Sequence, residues 1–304
     1  MKTTSARSQI ESTLNVIKTR DTAYRELAGR FGSLFEKKEQ VRTDLVAANQ
    51  QSPDIDANRM GAGVPVFAEV DLTPWGDAFT QSADCLLPVL SEVLQLEPET
   101  YRKMQTHLEK TENLLGLAQA RIEGNQKHFE SITERFGITP TTLLPYIAEA
   151  ISGPVFCAIA DTLGDSLSSL SWGHGHCPVC GSSPSISQLC PKDATASEYL
   201  VGGGGKKYLH CSLCGHDWHY KRNACAACGN EDSETREILF QDGVKHERIE
   251  VCHKCGKYML NVDMREYASL PHLDTMQMGL IHLDILAHER LLSPVSPTLW
   301  NTLK

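Results

Sequence analysis

Four Cys-x-x-Cys-Gly segments constrain the fold of this chain more than any other feature. They read CPVCG, CSLCG, CAACG and CHKCG and lie between residues 177 and 256. A cysteine pair with this spacing can direct both sulfurs to one metal ion from a tight turn. The glycine supplies the left-handed backbone that lets amide groups point back at the sulfurs. One segment would be weak evidence, but four predict two metal sites with four sulfur ligands each.

The intervals between the pairs indicate how the cysteines are grouped. Thirty residues separate the first pair from the second and 23 separate the third from the fourth, whereas only ten separate the second from the third. The long intervals fit hairpins of short strands and the short one fits a linker. An interleaved grouping is the alternative. The predicted ligands are Cys177, Cys180, Cys211 and Cys214 for site 1, and Cys225, Cys228, Cys252 and Cys255 for site 2.

Four thiolates favour a tetrahedral site that holds zinc, or iron as in rubredoxin, and the ligand types do not distinguish the two metals. A closed site has no position for water or substrate, which argues against a hydrolytic centre. A thiol–disulfide motif would be a single pair in a βαβ context, which is absent. An iron–sulfur cluster is an alternative, but two knuckles separated by a hairpin favour a mononuclear site.

Histidines and aromatic residues crowd the same region. Because four thiolates are available to each site, we expect the histidines to lie around the metals rather than to bind them. Trp218, His219 and Tyr220 form either an aromatic patch or the packing between the two ribbons. The histidines are His174, His176, His210, His216, His219 and His253.

Composition and charge limit the function classes. The chain has 304 residues, enough for two domains, with 29 basic and 38 acidic side chains and no long basic run. That balance argues against a dedicated nucleic-acid binder. The N-terminus lacks an apolar signal segment, and no stretch has 18 uninterrupted apolar residues, so we expect a cytoplasmic protein without a membrane span. Eight of the eleven cysteines are paired in a pattern that indicates metal ligation rather than disulfides.

Hydrophobic periodicity divides the rest of the chain. Apolar residues at three- and four-residue steps predict helices before residue 170, and short β-like runs follow it. The predicted helices cover 1 to about 50, Asp77–Leu96, Pro98–Glu123, Gln126–Phe136, a pair within Pro140–Leu170, and Leu270–Leu292. The predicted strands are Pro184–Leu189, Lys207–His210, Arg236–Phe240, Arg248–Val251 and Lys257–Val262, with a hairpin tip at Gly202–Gly205.

The sequence therefore predicts a multi-domain α plus small β protein. An N-terminal α-helical domain spans residues 1–170. Two tandem rubredoxin-like or zinc-ribbon knuckle modules form a double metal-ribbon domain over residues 171–268. A C-terminal helix and tail, residues 269–304, pack back on the body.

The cysteine region resembles one known family. The order CPVCGSSP, YLHCSLCGHDWHYKRNACAACGN, VCHKCGKYM and then the helix LPHLDTMQMGLIHLDILAHERL is similar to that of the FdhE family of formate dehydrogenase accessory proteins. The segment from Tyr208 to Asn230 is the most specific part. Before residue 170 the resemblance is limited to helical character.

The resemblance implies a role in assembly rather than catalysis. Proteins of this family are cytoplasmic, are needed for active respiratory formate dehydrogenase, and contact its catalytic subunit before export. Their paired cysteines resemble rubredoxin knuckles and are linked to ferric iron and to self-association. All eight motif positions are cysteine here, so the metal role carries over to sites 1 and 2.

Two other functions remain open from the residues alone. Zinc ribbons often serve in nucleic-acid-associated factors, although the acidic balance weighs against that function. A rubredoxin-type electron carrier would pair its ribbons with a helical half that binds metal through Glu-x-x-His, and the helical half lacks that motif. We therefore expect an accessory protein that binds a client through its two-metal module.

Overall fold

The computed structural model describes residues 5–168, 170–190 and 205–302. Its N-terminal part is helical, and side chains at the helix starts define the first elements: Ser5 accepts a hydrogen bond from the Ser8 amide, and Asp21 from the Tyr24 amide. The helices are α1 Ala6–Lys18, α2 Thr22–Ala47, α3 Ala57–Gly61, α4 Gly76–Leu94, α5 Pro98–Leu108, α6 Thr111–Glu123, α7 Gln126–Phe136 and α8 Leu143–Ser168.

Three helix predictions were wrong in their boundaries. The helix predicted over Pro98–Glu123 is two helices, because Lys110 adopts an extended conformation between α5 and α6. The pair of helices predicted within Pro140–Leu170 is one long helix, α8, which contains Pro154 and is interrupted by a kink at Gly164. The helix predicted over Leu270–Leu292 is also two, α9 Leu273–Gly279 and α10 Ile281–Glu289.

Within the described residues the strands join in a single mixed sheet. They are β1 Ile186–Cys190, β2 Lys206–His210, β3 Asp217–Tyr220, β4 Arg236–Phe240, β5 Glu247–Cys252, β6 Lys257–Asp263 and β7 Ser293–Pro294. The order is β3-β2-β1-β6-β5-β4, and β7 pairs with β6. Strands β1 and β6 run parallel, so the two ribbons share one sheet. Strand β3 was not predicted, and Gly202–Gly204 of the expected hairpin tip lie outside the described residues.

Two hydrophobic clusters hold these elements together. The larger one combines the helices with the cysteines of site 1 and with Leu209 and Trp218 of the sheet. The smaller one lies between β5 and β6 and the helices α9 and α10, and includes Ile249, Leu260 and Leu283. Site 1 is therefore built into the helical core.

One helix in the described part of the chain, Leu143–Gly164, has the length and composition of a membrane span. In the fold, 72% of it is buried against other elements, and α2, α4 and α6 pack on it. Burial of this kind is typical of the core helix of a globular fold.

A buried carboxyl in α10 makes stability depend on pH. Asp284 is 5% exposed; its Oδ1 accepts a hydrogen bond of 2.6 Å from the Tyr258 hydroxyl, and its Oδ2 has no partner among the described residues. Burial raises the pKa of Asp284 from 3.8 to about 7, against the opposing effect of that hydrogen bond. Between these pH values the folded chain keeps a proton that the unfolded chain releases, so stability falls as the pH rises towards 7 and stays reduced above it.

Asp284→Asn should remove this loss of stability. The amide carbonyl still accepts the Tyr258 hydrogen bond, and no charge is buried. We expect a gain of about 2–4 kcal/mol at pH 8 that disappears near pH 4. Thermal melting of the variant at both pH values tests this, with Asp54→Asn on the exposed loop before α3 as control. A gain that is the same at both pH values would contradict the assignment.

Candidate metal centres

The structure brings the eight paired cysteines into the two expected groups. Within each group all four sulfurs lie within 4.8 Å of one another. In site 1 the Cys177–Cys214 and Cys180–Cys211 sulfurs are 3.5 and 3.4 Å apart. In site 2 the Cys225–Cys255 and Cys228–Cys252 sulfurs are each 3.8 Å apart. A tetrahedral metal with bonds of about 2.3 Å places its sulfurs about 3.8 Å apart, so both groups fit a four-sulfur metal.

The four knuckles share one turn. In each, the glycine amide donates to the carbonyl oxygen of the first cysteine, at 2.8 to 2.9 Å, and the glycine φ lies between 69° and 78°. Left-handed backbone of this kind favours glycine. The glycine amide therefore closes the turn, whereas backbone amides inside the knuckle, such as that of Cys255, point at the first sulfur.

Site 1 lies between the helical half and the sheet. The loop before α4 pairs with its first knuckle, since the amides of Val66 and Phe67 donate to the carbonyls of Pro178 and Val179 at 2.9 and 2.8 Å. All four of its cysteines are at most 1% exposed. Only a closed, fully coordinated metal could occupy a site so far from solvent.

A partly buried ion pair accompanies site 1. The Arg121 guanidinium of α6 donates to Glu149 Oε2 of α8 at 2.6 and 3.0 Å. Burial alone would lower the pKa of Arg121, but Glu149 and the sulfurs of Cys180 and Cys211 raise it. A metal with four thiolates carries net negative charge, and this arginine compensates it. No sequence pattern indicates the pair, because its partners lie on different helices.

Site 2 lies in the second ribbon and is more open. Cys228 is exposed and Cys255 is half-buried, whereas Cys225 and Cys252 are 6% and 2% exposed. The Asn230 amide donates to the Cys252 sulfur at 3.6 Å and to Thr235 Oγ1 at 2.8 Å. Neutral donors, rather than a cation such as Arg121, therefore support the sulfurs here.

Each group contains one thiol whose pKa is lowered. Burial acts to raise the pKa of Cys180, but hydrogen bonds from the other three thiols of site 1 lower it well below its usual value. In site 2 burial acts in the same direction on Cys252, but backbone and Asn230 hydrogen bonds outweigh it and lower the pKa of that thiol to about 6. Burial shifts the pKa values of the Cys214 and Cys255 thiols upwards. Metal binding must therefore displace protons, and affinity should fall in acid.

The aromatic residues between the sites pack inside the fold. Trp218 and Tyr220 are buried; the Trp218 indole donates to the His174 carbonyl at 3.1 Å, and the Tyr220 hydroxyl to the Cys225 carbonyl at 3.2 Å. No histidine joins the sulfur groups among the described residues. Packing between the ribbons is thus the correct interpretation of Trp218 and Tyr220, and the expected position of the histidines around the metals agrees with the structure.

A polar cluster that sequence reasoning missed holds the strand leading into Cys211. His210 lies between Asp217 and Asp274, with Nδ1 2.7 Å and Nε2 3.2 Å from their carboxylates. Burial opposes its protonation, but the two carboxylates raise the pKa of His210 well above its usual value. The charged ring ties β2, β3 and α9 together beside site 1. A cavity of about 300 Å³ opens next to it.

Comparison with known proteins agrees with the resemblance. No family model matches the chain. An FdhE homologue of Aquifex aeolicus is 25% identical over 238 residues, which cover 77% of this chain and 73% of that protein. One of Shewanella oneidensis is 39% identical over 82 residues, 27% of this chain and 24% of that protein. These relatives support the resemblance of the chain to FdhE proteins. Its alignment with the Shewanella relative spans only about a quarter of that protein.

A solved structure supports the fold of this chain. The crystal structure of the FdhE protein from Pseudomonas aeruginosa matches it with a TM-score of 0.60 and 20% identity, over 97% of this chain and 94% of that one. At this identity the match speaks for the fold alone. The predicted fold class is confirmed: a helical N-terminal part, a small sheet and two four-cysteine knuckle groups.

Proposed function

We propose that this chain is an accessory protein for maturation of respiratory formate dehydrogenase and binds the catalytic subunit in the cytoplasm. The observation that carries the proposal is the FdhE-family relationship together with two intact four-sulfur groups. Closed groups of this kind leave no open position for a substrate, so the chain acts by binding rather than by catalysis.

The proposal includes mononuclear iron at sites 1 and 2, with zinc as the alternative occupant. The eight cysteines are the ligands, and the distances between their sulfurs support this role. Iron would provide a one-electron couple that zinc lacks, and so a redox role towards the client. Reversible visible absorbance that bleaches on reduction is expected; a colourless zinc protein that still supports maturation would exclude the redox role.

Recovery of the client tests the central proposal. We expect the tagged chain, isolated from its own cells grown with formate, to retain a formate dehydrogenase catalytic subunit at near-stoichiometric amounts, with metal measured in the same sample. Light scattering of the purified chain tests the self-association that we also propose. Nucleic acid in place of the catalytic subunit, retained in a salt-dependent manner, would contradict the proposal and favour a zinc-ribbon nucleic-acid factor.

A further inference from the structure

The two sites differ in how closely the fold encloses them. The space around the glycine that ends each of the four knuckles shows this difference. A methyl group placed on Gly181 or Gly215 of site 1 would lie 3.0 Å from Pro65 or 3.1 Å from the Cys157 sulfur. One placed on Gly229 or Gly256 of site 2 would meet nothing within 4 Å. The same turn is thus packed on both sides of site 1 and open on both sides of site 2.

Helix α8 closes site 1 from the helical side. Gly153 lies so close to the second knuckle that a methyl group there would be 3.4 Å from the Leu213 carbonyl oxygen. The sulfurs belong to the same hydrophobic cluster as the buried α8 residues Phe156 and Ile159. A cavity of about 300 Å³ is lined in part by Cys214 at the edge of this site, but all four cysteines are at most 1% exposed. Release of a metal held by all four sulfurs therefore requires the helical core to open.

Within the described part of the chain, site 2 is covered on one side, where Gly175 of the first ribbon approaches the Ala226 backbone, and is open at Cys228. The Cys228 side chain is exposed, and Cys255 on the facing knuckle is half-buried. The smaller hydrophobic cluster supports the strands of the second ribbon but contains none of the four cysteines of site 2. A solution ligand can reach a metal bound here without any change in the core.

We propose that site 2 is a metal-exchange site for a thiophilic divalent cation, with Cys228 as the ligand at which exchange begins, whereas site 1 releases its metal only when the core opens. An incoming thiolate or nitrogen ligand forms a bond to the cation while the bond to Cys228 Sγ breaks. Cys228 leaves as a thiolate, and no electron is transferred. The inference rests on the metal-binding part of the proposed function and not on the identity of the client.

Zinc release from the full-length chain tests the proposal. Protein loaded with zinc is first analysed for two zinc ions per chain and then mixed with excess 4-(2-pyridylazo)resorcinol. We expect one zinc to leave at least about 100-fold faster than the other, because only the slow one requires global opening. Iodoacetamide added during the fast phase should modify Cys228 and Cys255 and spare the cysteines of site 1, as read by peptide mass spectrometry.

Matched variants assign the two phases. Cys228→Ser should abolish the fast phase and leave the slow zinc in place, whereas Cys85→Ser, at a half-buried thiol of α4 outside both sites, should keep both phases. Release of both ions in one phase, or first labelling of site 1, would overturn the exchange proposal while metal binding stands. Fewer than two zinc ions per chain at the start would overturn metal binding itself.

Discussion

Cys211→Ser is expected to disrupt the helical half of the protein and not only its ribbon. The substitution removes one of four sulfur ligands at a position that is 1% exposed and continuous with the main hydrophobic core. Structural zinc contributes about 10–16 kcal/mol to small domains, which is comparable with the whole stability of a typical protein. Loss of even part of that contribution should lower the melting temperature by more than about 10 °C, or give insoluble protein.

The matched control is Cys228→Ser in site 2. It removes the same chemical group from an exposed position, and none of the four cysteines of site 2 belongs to the main core. Helical circular dichroism should then melt within about 3 °C of the parent protein, because the helical half keeps site 1 intact. If Cys211→Ser and Cys228→Ser lowered the melting temperature equally, site 1 would not contribute more than site 2 to the stability of the helical half.

The local features of the candidate site could be predicted from the sequence because they depend on residues close in the chain. The knuckle turn is set by a five-residue pattern, and the grouping of the cysteines by the length of the hairpins between them. Each of these features is decided within one element and its neighbours.

The remaining features depend on tertiary contacts. The break between α5 and α6 lies at Glu109 and Lys110, where neither glycine nor proline marks it. Strand β3 is only four residues long and exists because it pairs with β2. The parallel pairing of β1 with β6 makes one sheet of two ribbons, and hydrophobic patterning within each ribbon carries no information about it. The pairing of strand β1 of the first ribbon with strand β6 of the second depends on contacts that form only in the folded chain.

Arg121 and Glu149 show the same limit at the site itself. Their ion pair lies beside the sulfurs of Cys180 and Cys211, yet the four residues come from two helices and two knuckles. Spacing along the chain cannot bring such groups together. The contrast in exposure between sites 1 and 2 was invisible for the same reason, since their motifs are alike in sequence.

Gly175→Ala should have the second large effect, because Gly175 joins the two ribbons by direct backbone contact. A methyl group on Gly175 would lie 1.9 Å from the carbonyl oxygen of Ala226 and 2.8 Å from its carbonyl carbon. Ala226 is inside the Cys225–Cys228 knuckle, and Gly175 lies in the segment that leads into Cys177, so relief of this overlap displaces one of these two backbone segments. Overpacking typically costs about 1–3 kcal/mol, and we expect the upper end, since backbone rather than a flexible side chain has to move.

The neighbouring glycine supplies the control for this prediction. A methyl group on Gly173 would meet nothing within 4 Å, so Gly173→Ala should change stability by no more than about 0.5 kcal/mol. Denaturant unfolding and the zinc content of each variant separate the two effects. Gly175→Ala should lose stability and hold zinc at site 2 more weakly, while site 1 stays loaded because its four cysteines are packed in the main hydrophobic core and those of site 2 are not. If both alanine variants had the stability and zinc content of the parent protein, the close approach of Gly175 to Ala226 would be refuted. The view that this contact fixes site 2 against the first ribbon would then also be wrong.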